Sequence, residues 1–102
     1  MAGFGEKKSP TPKSPRATIK GSGTIEKALA SHKAGDLKTA ENLYLKAIKS
    51  GCTDPIVLSN LGVIYKNSNR QQKAIECYQK AISINPKFSD AHANLGNLLK
   101  GL

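Results

Sequence analysis

Shifted by 34 residues, this sequence lies on top of itself. Residues 25–68 align with 59–102 without a gap, and nine of the aligned pairs are identical. The identities form two clusters. Ala40, Tyr44, Lys46, Ala47 and Ile48 recur as Ala74, Tyr78, Lys80, Ala81 and Ile82, and Asn60, Leu61, Gly62 and Lys66 recur as Asn94, Leu95, Gly96 and Lys100. A fixed period of this length marks a stacked-repeat architecture, in which each unit buries its apolar face only against its neighbours. Within the period, Ala40, Tyr44, Ala47 and Ile48 fall at i, i+4, i+7 and i+8, which is one helical stripe. Leu58, Leu61, Gly62 and Tyr65 make a second stripe at i, i+3, i+4 and i+7. Two helices per repeat follow. Gly62, Ala74 and Ala81 let backbones approach, and Leu61, Tyr65 and Tyr78 fill the space beside them.

The punctuation agrees. Asp54 before Pro55 puts a side-chain acceptor ahead of proline at a first helical position, and Ser89 is a second candidate for such a cap. Gly51 suits a left-handed helix end, and Asn85-Pro86 stops a helix. Gly35-Asp36 and Asn67-Ser68-Asn69 are turn clusters. Helices are expected near 24–34, 37–50, 55–67, 71–84 and 90–100, with antiparallel neighbours because the connections are short. The fold class is all-α.

At these residues the chain resembles the tetratricopeptide repeat (TPR) family. Leu58-x-x-Leu61-Gly62-x-x-Tyr65, then Ala74, Tyr78, Ala81 and Pro86, stand at the family's spacing, with Leu58 where tryptophan is common and Asn69 in place of the turn glycine. Asn94-Leu95-Gly96-x-x-Leu99 opens a further repeat. The first repeat keeps Gly35, Ala40, Tyr44 and Ala47, but Lys27 and Ser31 replace the apolar pair of its first helix, leaving Ile25, Ala28 and Leu29, then His32. It looks like the opening repeat of bacterial arrays that precede a transferase domain. The resemblance implies a right-handed α-α superhelix of two full repeats, about 21–54 and 55–88, plus a partial one over 89–102.

The resemblance also implies a concave groove lined by the first helix of each repeat. Asn60 and Asn94 occupy a position that forms an asparagine ladder along a bound peptide in some members. A carboxamide can satisfy both polar groups of an extended peptide unit. His32, Lys66 and Lys100 recur at the same period, with Lys33 beside the first, so one groove edge is expected to be positive. Asn97 completes the candidate set. Certain members clamp the terminal carboxylate of chaperone tails with Lys and Asn on the first helix, Asn on the third, and Lys and Arg on the fifth. Here those places hold Ile25, Leu29, Asn60, Asp90 and Asn94, and only Asn60 matches.

Composition bounds the rest. Of 102 residues, 38% are apolar and only five are aromatic, so the core must be aliphatic and alanine-rich. No run of ~18 apolar residues is present to span a membrane. Cys52 and Cys77 are too few for a disulfide scaffold, and His32 and His92 lack metal-ligand spacing. No phosphate loop, carboxylate pair or nucleophile with a neighbouring base appears, so neither an enzyme, a cofactor nor a metal is expected. The net charge of +9 favours acidic partners. Without interleaved aromatics on which bases could stack, nucleic acid is not the expected one. Residues 1–23 combine prolines, glycines and five basic residues against Glu6, and read as a disordered basic tail ahead of a domain over 24–102. The expectation is a cytoplasmic, non-catalytic scaffold that binds a protein or peptide segment, acidic character preferred. A targeting region of a larger TPR-linked transferase stays open as the alternative. Leu95, Leu98, Leu99 and Leu102 are too many for one stripe, so self-association through the fifth helix is also expected.

Overall fold

The computed structural model describes residues 22–102, so the reading of the tail lies outside the described residues except at Ser22 and Gly23. These two belong to a helix rather than to the tail. Five helices follow one another: α1 (Ser22–Lys33), α2 (Leu37–Lys49), α3 (Pro55–Asn67), α4 (Gln71–Ile84) and α5 (Ser89–Lys100). No strand occurs among the described residues. The helices form antiparallel pairs, α1 with α2 and α3 with α4; α3 also packs on α2 and α5, and α5 on α4.

Local chemistry sets the boundaries. The Asp36 carboxylate accepts from Thr39 N (3.3 Å) at the start of α2. Asp54 accepts from Ile56 N (2.9 Å) at the start of α3, with Pro55 as the first helical residue. Ser89 is not a cap. It is the first residue of α5, and Phe88, which offers no side-chain acceptor, precedes it. The Phe88 ring packs on the cluster of Leu58, Ala81 and Ala91 and so decides where the chain enters the helix. The turn before it is closed by Asn85, whose side chain accepts from Lys87 N (3.1 Å).

Helices α1, α2 and α3 end in one way. Gly35 (φ 87°), Gly51 (φ 104°) and Asn69 (φ 63°) each adopt the left-handed conformation. The amide after each returns to the last turn: Asp36 N to Ser31 O (2.9 Å), Cys52 N to Ala47 O (3.0 Å) and Arg70 N to Tyr65 O (2.8 Å). This paired closure satisfies carbonyls that a helix end would otherwise leave open. Asparagine tolerates the left-handed region better than other residues with a Cβ, which is why it can stand in for glycine at 69.

The core is built from the repeated stripes. Ala28, Ala40, Tyr44, Ala47, Val57, Ala74, Ala81 and Ala91 are fully buried, and Leu61 and Tyr78 nearly so. Gly62 packs directly against the ring of Tyr78: a Cβ there would lie 2.5 Å from Tyr78 Cε1. Cys52, in the loop after α2, is also buried and joins this core. Leu29, expected on the buried stripe of α1, is instead 39% exposed.

Candidate functional site

The candidate residues lie on α1, α3 and α5, the first helices of successive repeats. The structure separates them into groups with different surroundings. His32 and Asn60 meet at the hydroxyl of buried Tyr44. His32 Nδ1 lies 3.1 Å from it, and Asn60 Nδ2 donates to it at 3.3 Å. All three groups are satisfied when the hydroxyl donates to Nδ1 and the imidazole carries its proton on Nε2. The His32 ring also meets the Tyr44 ring edge-on, with centroids 5.9 Å apart. One phenol thus ties α1, α2 and α3 together. Burial raises the Tyr44 pKa above its ordinary value, so the hydroxyl keeps its proton at neutral pH.

Asn94 on α5 reaches back to α3, where Nδ2 donates to the buried Ser59 hydroxyl at 3.2 Å. Ser59 is next in sequence to Asn60, so the two asparagines are held at one level of neighbouring helices. Each carboxamide spends one N–H on the protein. Lys33, Lys66, Asn97 and Lys100 are exposed, with no side-chain hydrogen bond or ion pair among the described residues. The expected basic row therefore has unequal members: Lys66 and Lys100 stand in solvent, while His32 is half-buried and engaged with Tyr44.

Sequence reasoning missed the ion pair that bridges the two repeats. Arg70 donates two hydrogen bonds of 2.7 Å to the two carboxylate oxygens of Glu41, and its guanidinium carbon lies 4.7 Å from the centre of the Tyr65 ring. Arg70 holds the Glu41 carboxyl below the ordinary carboxylate value. A signal was present. Position 70 is where Asp36 caps one repeat earlier, and arginine cannot accept from a helix amide. Its side chain is committed elsewhere.

Among the described residues, two clefts lie away from these candidates. One, of about 460 Å³, opens between α2 and α3 beside Leu37, Asn42, Ile64, Asn67 and the Glu41–Arg70 pair. The other, of about 300 Å³, lies between α2 and α4 over α3. Burial, and next the charge of Glu76, push the Cys77 thiol up to about 11, which keeps it protonated and a poor nucleophile. His92, on the exposed side of α5, sits with Nε2 2.7 Å from Pro86 O. Among the described residues no three His, Cys, Asp or Glu side chains gather as a metal site, and no helix is long and apolar enough to cross a membrane.

Known proteins match this architecture. Residues 55–88 match the tetratricopeptide repeat family, and residues 77–102 match a second form of the same repeat. Photosystem I assembly protein Ycf3 of Synechococcus sp. (strain CC9902) is 36% identical over 72 residues, covering 67% of this chain and 41% of that protein. The heat-shock protein cognate (HSC) co-chaperone sgt12 of Aspergillus fumigatus is 30% identical over 88 residues, covering 86% of this chain and 24% of that protein. The chain thus spans well under half the length of these curated relatives. The crystal structure of MamA superposes with a TM-score of 0.75 at 26% identity, covering 82% of this chain and 49% of that one.

Proposed function

We infer that this chain, which belongs to the tetratricopeptide-repeat family, is a protein-interaction scaffold that holds a peptide or protein segment along α1, α3 and α5, acidic segments preferred. The carrying observation is the pair of exposed lysines, Lys66 and Lys100, spaced by one repeat on the same helices as asparagines whose orientation is already set by Tyr44 and Ser59. A pre-set carboxamide loses little entropy on binding, and its oxygen and second N–H match one peptide unit. Lys33 extends the positive edge to the α1 end of the row. Chaperone-tail capture is not the reading, because Ile25 is buried, Leu29 is apolar and Asp90 repels a carboxylate.

The test uses a fluorescent, glutamate-rich extended peptide and a glutamine-rich control, each titrated with the intact chain at several salt concentrations. The acidic peptide binds more tightly and loses affinity as salt rises. Lys66→Glu with Lys100→Glu weakens it by about tenfold and flattens the salt dependence, while helix content stays the same. Unchanged affinity in the double variant would move the site off this face.

A further inference from the structure

We propose that the cleft between α2 and α4 is a second docking surface, independent of the row above, and that it takes an amphipathic helix of a partner protein carrying two acidic residues seven positions apart. Its floor is Leu61 and Tyr65 of α3, both almost buried, and its walls are Leu45 and Ile48 of α2 and Cys77 of α4. Leu45 is 40% exposed, more than a side chain in a finished core shows. At about 300 Å³ the cleft has room for one or two large apolar side chains of a partner rather than for a long buried segment.

The rim decides what the partner looks like. Lys73 and Lys80 stand on α4, separated by seven residues, or two helical turns and about 10.5 Å of rise. Acidic side chains seven apart on a helix lying alongside α4 meet both ammonium groups at once. Glu76 stands between the lysines on the same rim, so a continuous acidic strip is repelled at its middle. The complementary pattern is acid, apolar anchor, acid, with no carboxylate between. The Arg70–Glu41 pair bridges α2 to the start of α4, and Arg70 and Lys73 lie over the Tyr65 ring of the floor.

Charge also excludes this chain as its own ligand. Among the described residues no helix carries two acidic residues: α1 has Glu26, α2 Glu41, α4 Glu76, α5 Asp90, and α3 has none. Residues 1–21 offer Glu6 against five basic residues. Neither a second copy of these residues nor the N-terminal segment presents the pattern, so the partner helix comes from outside these 102 residues.

The probe is a synthetic helical peptide of alanine, leucine and lysine with two glutamates seven apart flanking two leucines on one face. The control carries glutamine in place of both glutamates. Anisotropy titrations of the intact chain should show the glutamate peptide binding about tenfold more tightly than the control. Lys73→Glu with Lys80→Glu should reverse that preference. Lys80→Glu alone, on the exposed surface, should weaken binding severalfold and covers the case in which the loss of Lys73 over Tyr65 disturbs the fold. Bound peptide should also slow alkylation of Cys77 in the unmodified chain. Lys66→Glu with Lys100→Glu should leave this peptide's affinity within about twofold, since neither lysine lines the cleft. No binding, a preference insensitive to Lys80, or the loss of binding in the Lys66/Lys100 variant would each overturn the proposal. The last result would assign the peptide to the row of α1, α3 and α5 instead.

Discussion

Gly62 and Gly96 occupy the same place in successive repeats, yet their surroundings are opposite. A Cβ at Gly62 collides with the ring of Tyr78, whereas a Cβ at Gly96 meets nothing within 4 Å. The glycine of the repeat is therefore not a local requirement of its own helix. It is one half of a contact whose other half comes from the following helix, and no helix beyond α5 is present among the described residues. The same difference runs along both helices. Leu61 and Tyr65 of α3 are buried, while Leu95 of α5 is only half-buried and Leu99 is 51% exposed.

The strongest way to break this comparison is to fill both glycines. Gly62→Leu forces either Tyr78 or the helix axis to move, and should destabilise the chain by about 3 kcal/mol or more. Gly96→Ala lies in a helix interior with open space around it, and should stabilise by about 0.5–1 kcal/mol through helix propensity. Denaturant melts of both variants check the pair. If the two effects had the same sign, the α3–α4 contact would not explain the glycine.

The tyrosines sharpen the comparison next. Tyr44 and Tyr78 are also equivalent, and both rings are buried. Only the Tyr44 hydroxyl has partners among the described residues, His32 and Asn60. Tyr44→Phe leaves those two half-buried groups short of a partner and should cost about 1–2 kcal/mol. Tyr78→Phe should cost less than about 0.5 kcal/mol, because no such group is orphaned. Equal losses would mean that ring packing alone, and not the hydrogen-bonded junction, separates the first repeat from the second.

These pairs show how much could be read from the sequence and why. Anything written twice at the period was readable: the helix stripes, the closures at Gly35 and Asn69, and the closeness demanded by Gly62. Of what occurs once, only residues that carry a helix-end signature of their own were readable, such as Gly51 and Asp54-Pro55. Glu41 and Arg70 are 29 residues apart, off the period, so comparing the repeats could not pair them. Cys52 has no counterpart one repeat on, yet its place just after a left-handed glycine puts it on the core, where a hydrophobic contact commonly follows such a helix end. Ser89 had the chemistry of a cap and lost the position to Phe88, because apolar packing outweighs one surface hydrogen bond. The period put the candidate groove residues on the first helices of their repeats, but the hydrogen bonds of Asn60 to Tyr44 and Asn94 to Ser59 depend on side-chain reach between helices.

Acid separates the two repeats in another way. Arg70 lowers the pKa of Glu41 mainly through its hydrogen bonds, so the folded chain binds that proton less readily than the unfolded one. The resulting stabilisation is complete above the unfolded carboxylate value of about 4.3 and is lost as pH falls through the lower folded value. Glu41→Gln should therefore narrow the stability gap between neutral and acid pH, measured by thermal melts between about pH 6 and 3. Both side chains are partly solvated, which limits the expected shift in Tm to about 2 °C. An unchanged acid profile would show that the pair holds the repeats in register without stabilising them.

The smallest expected effect on folding falls at the open end of the comparison. Leu99 and Leu102 are 51% and 65% exposed, and the inner stripe of α5 is completed without them by Ala91 and Leu98. Leu99→Lys with Leu102→Lys should leave stability within about 0.5 kcal/mol of the parent, because neither side chain leaves a buried site. The consequence should appear in association instead. Together with Gly96, which gives a neighbouring backbone room to approach, these leucines form an apolar surface of the kind another helix covers. Sedimentation of the parent chain should show concentration-dependent self-association, and the double variant should sediment as a monomer across the same range. If the parent were monomeric at hundreds of micromolar, α5 would close the array unaided, and Gly96 would be open simply because nothing is required to pack there.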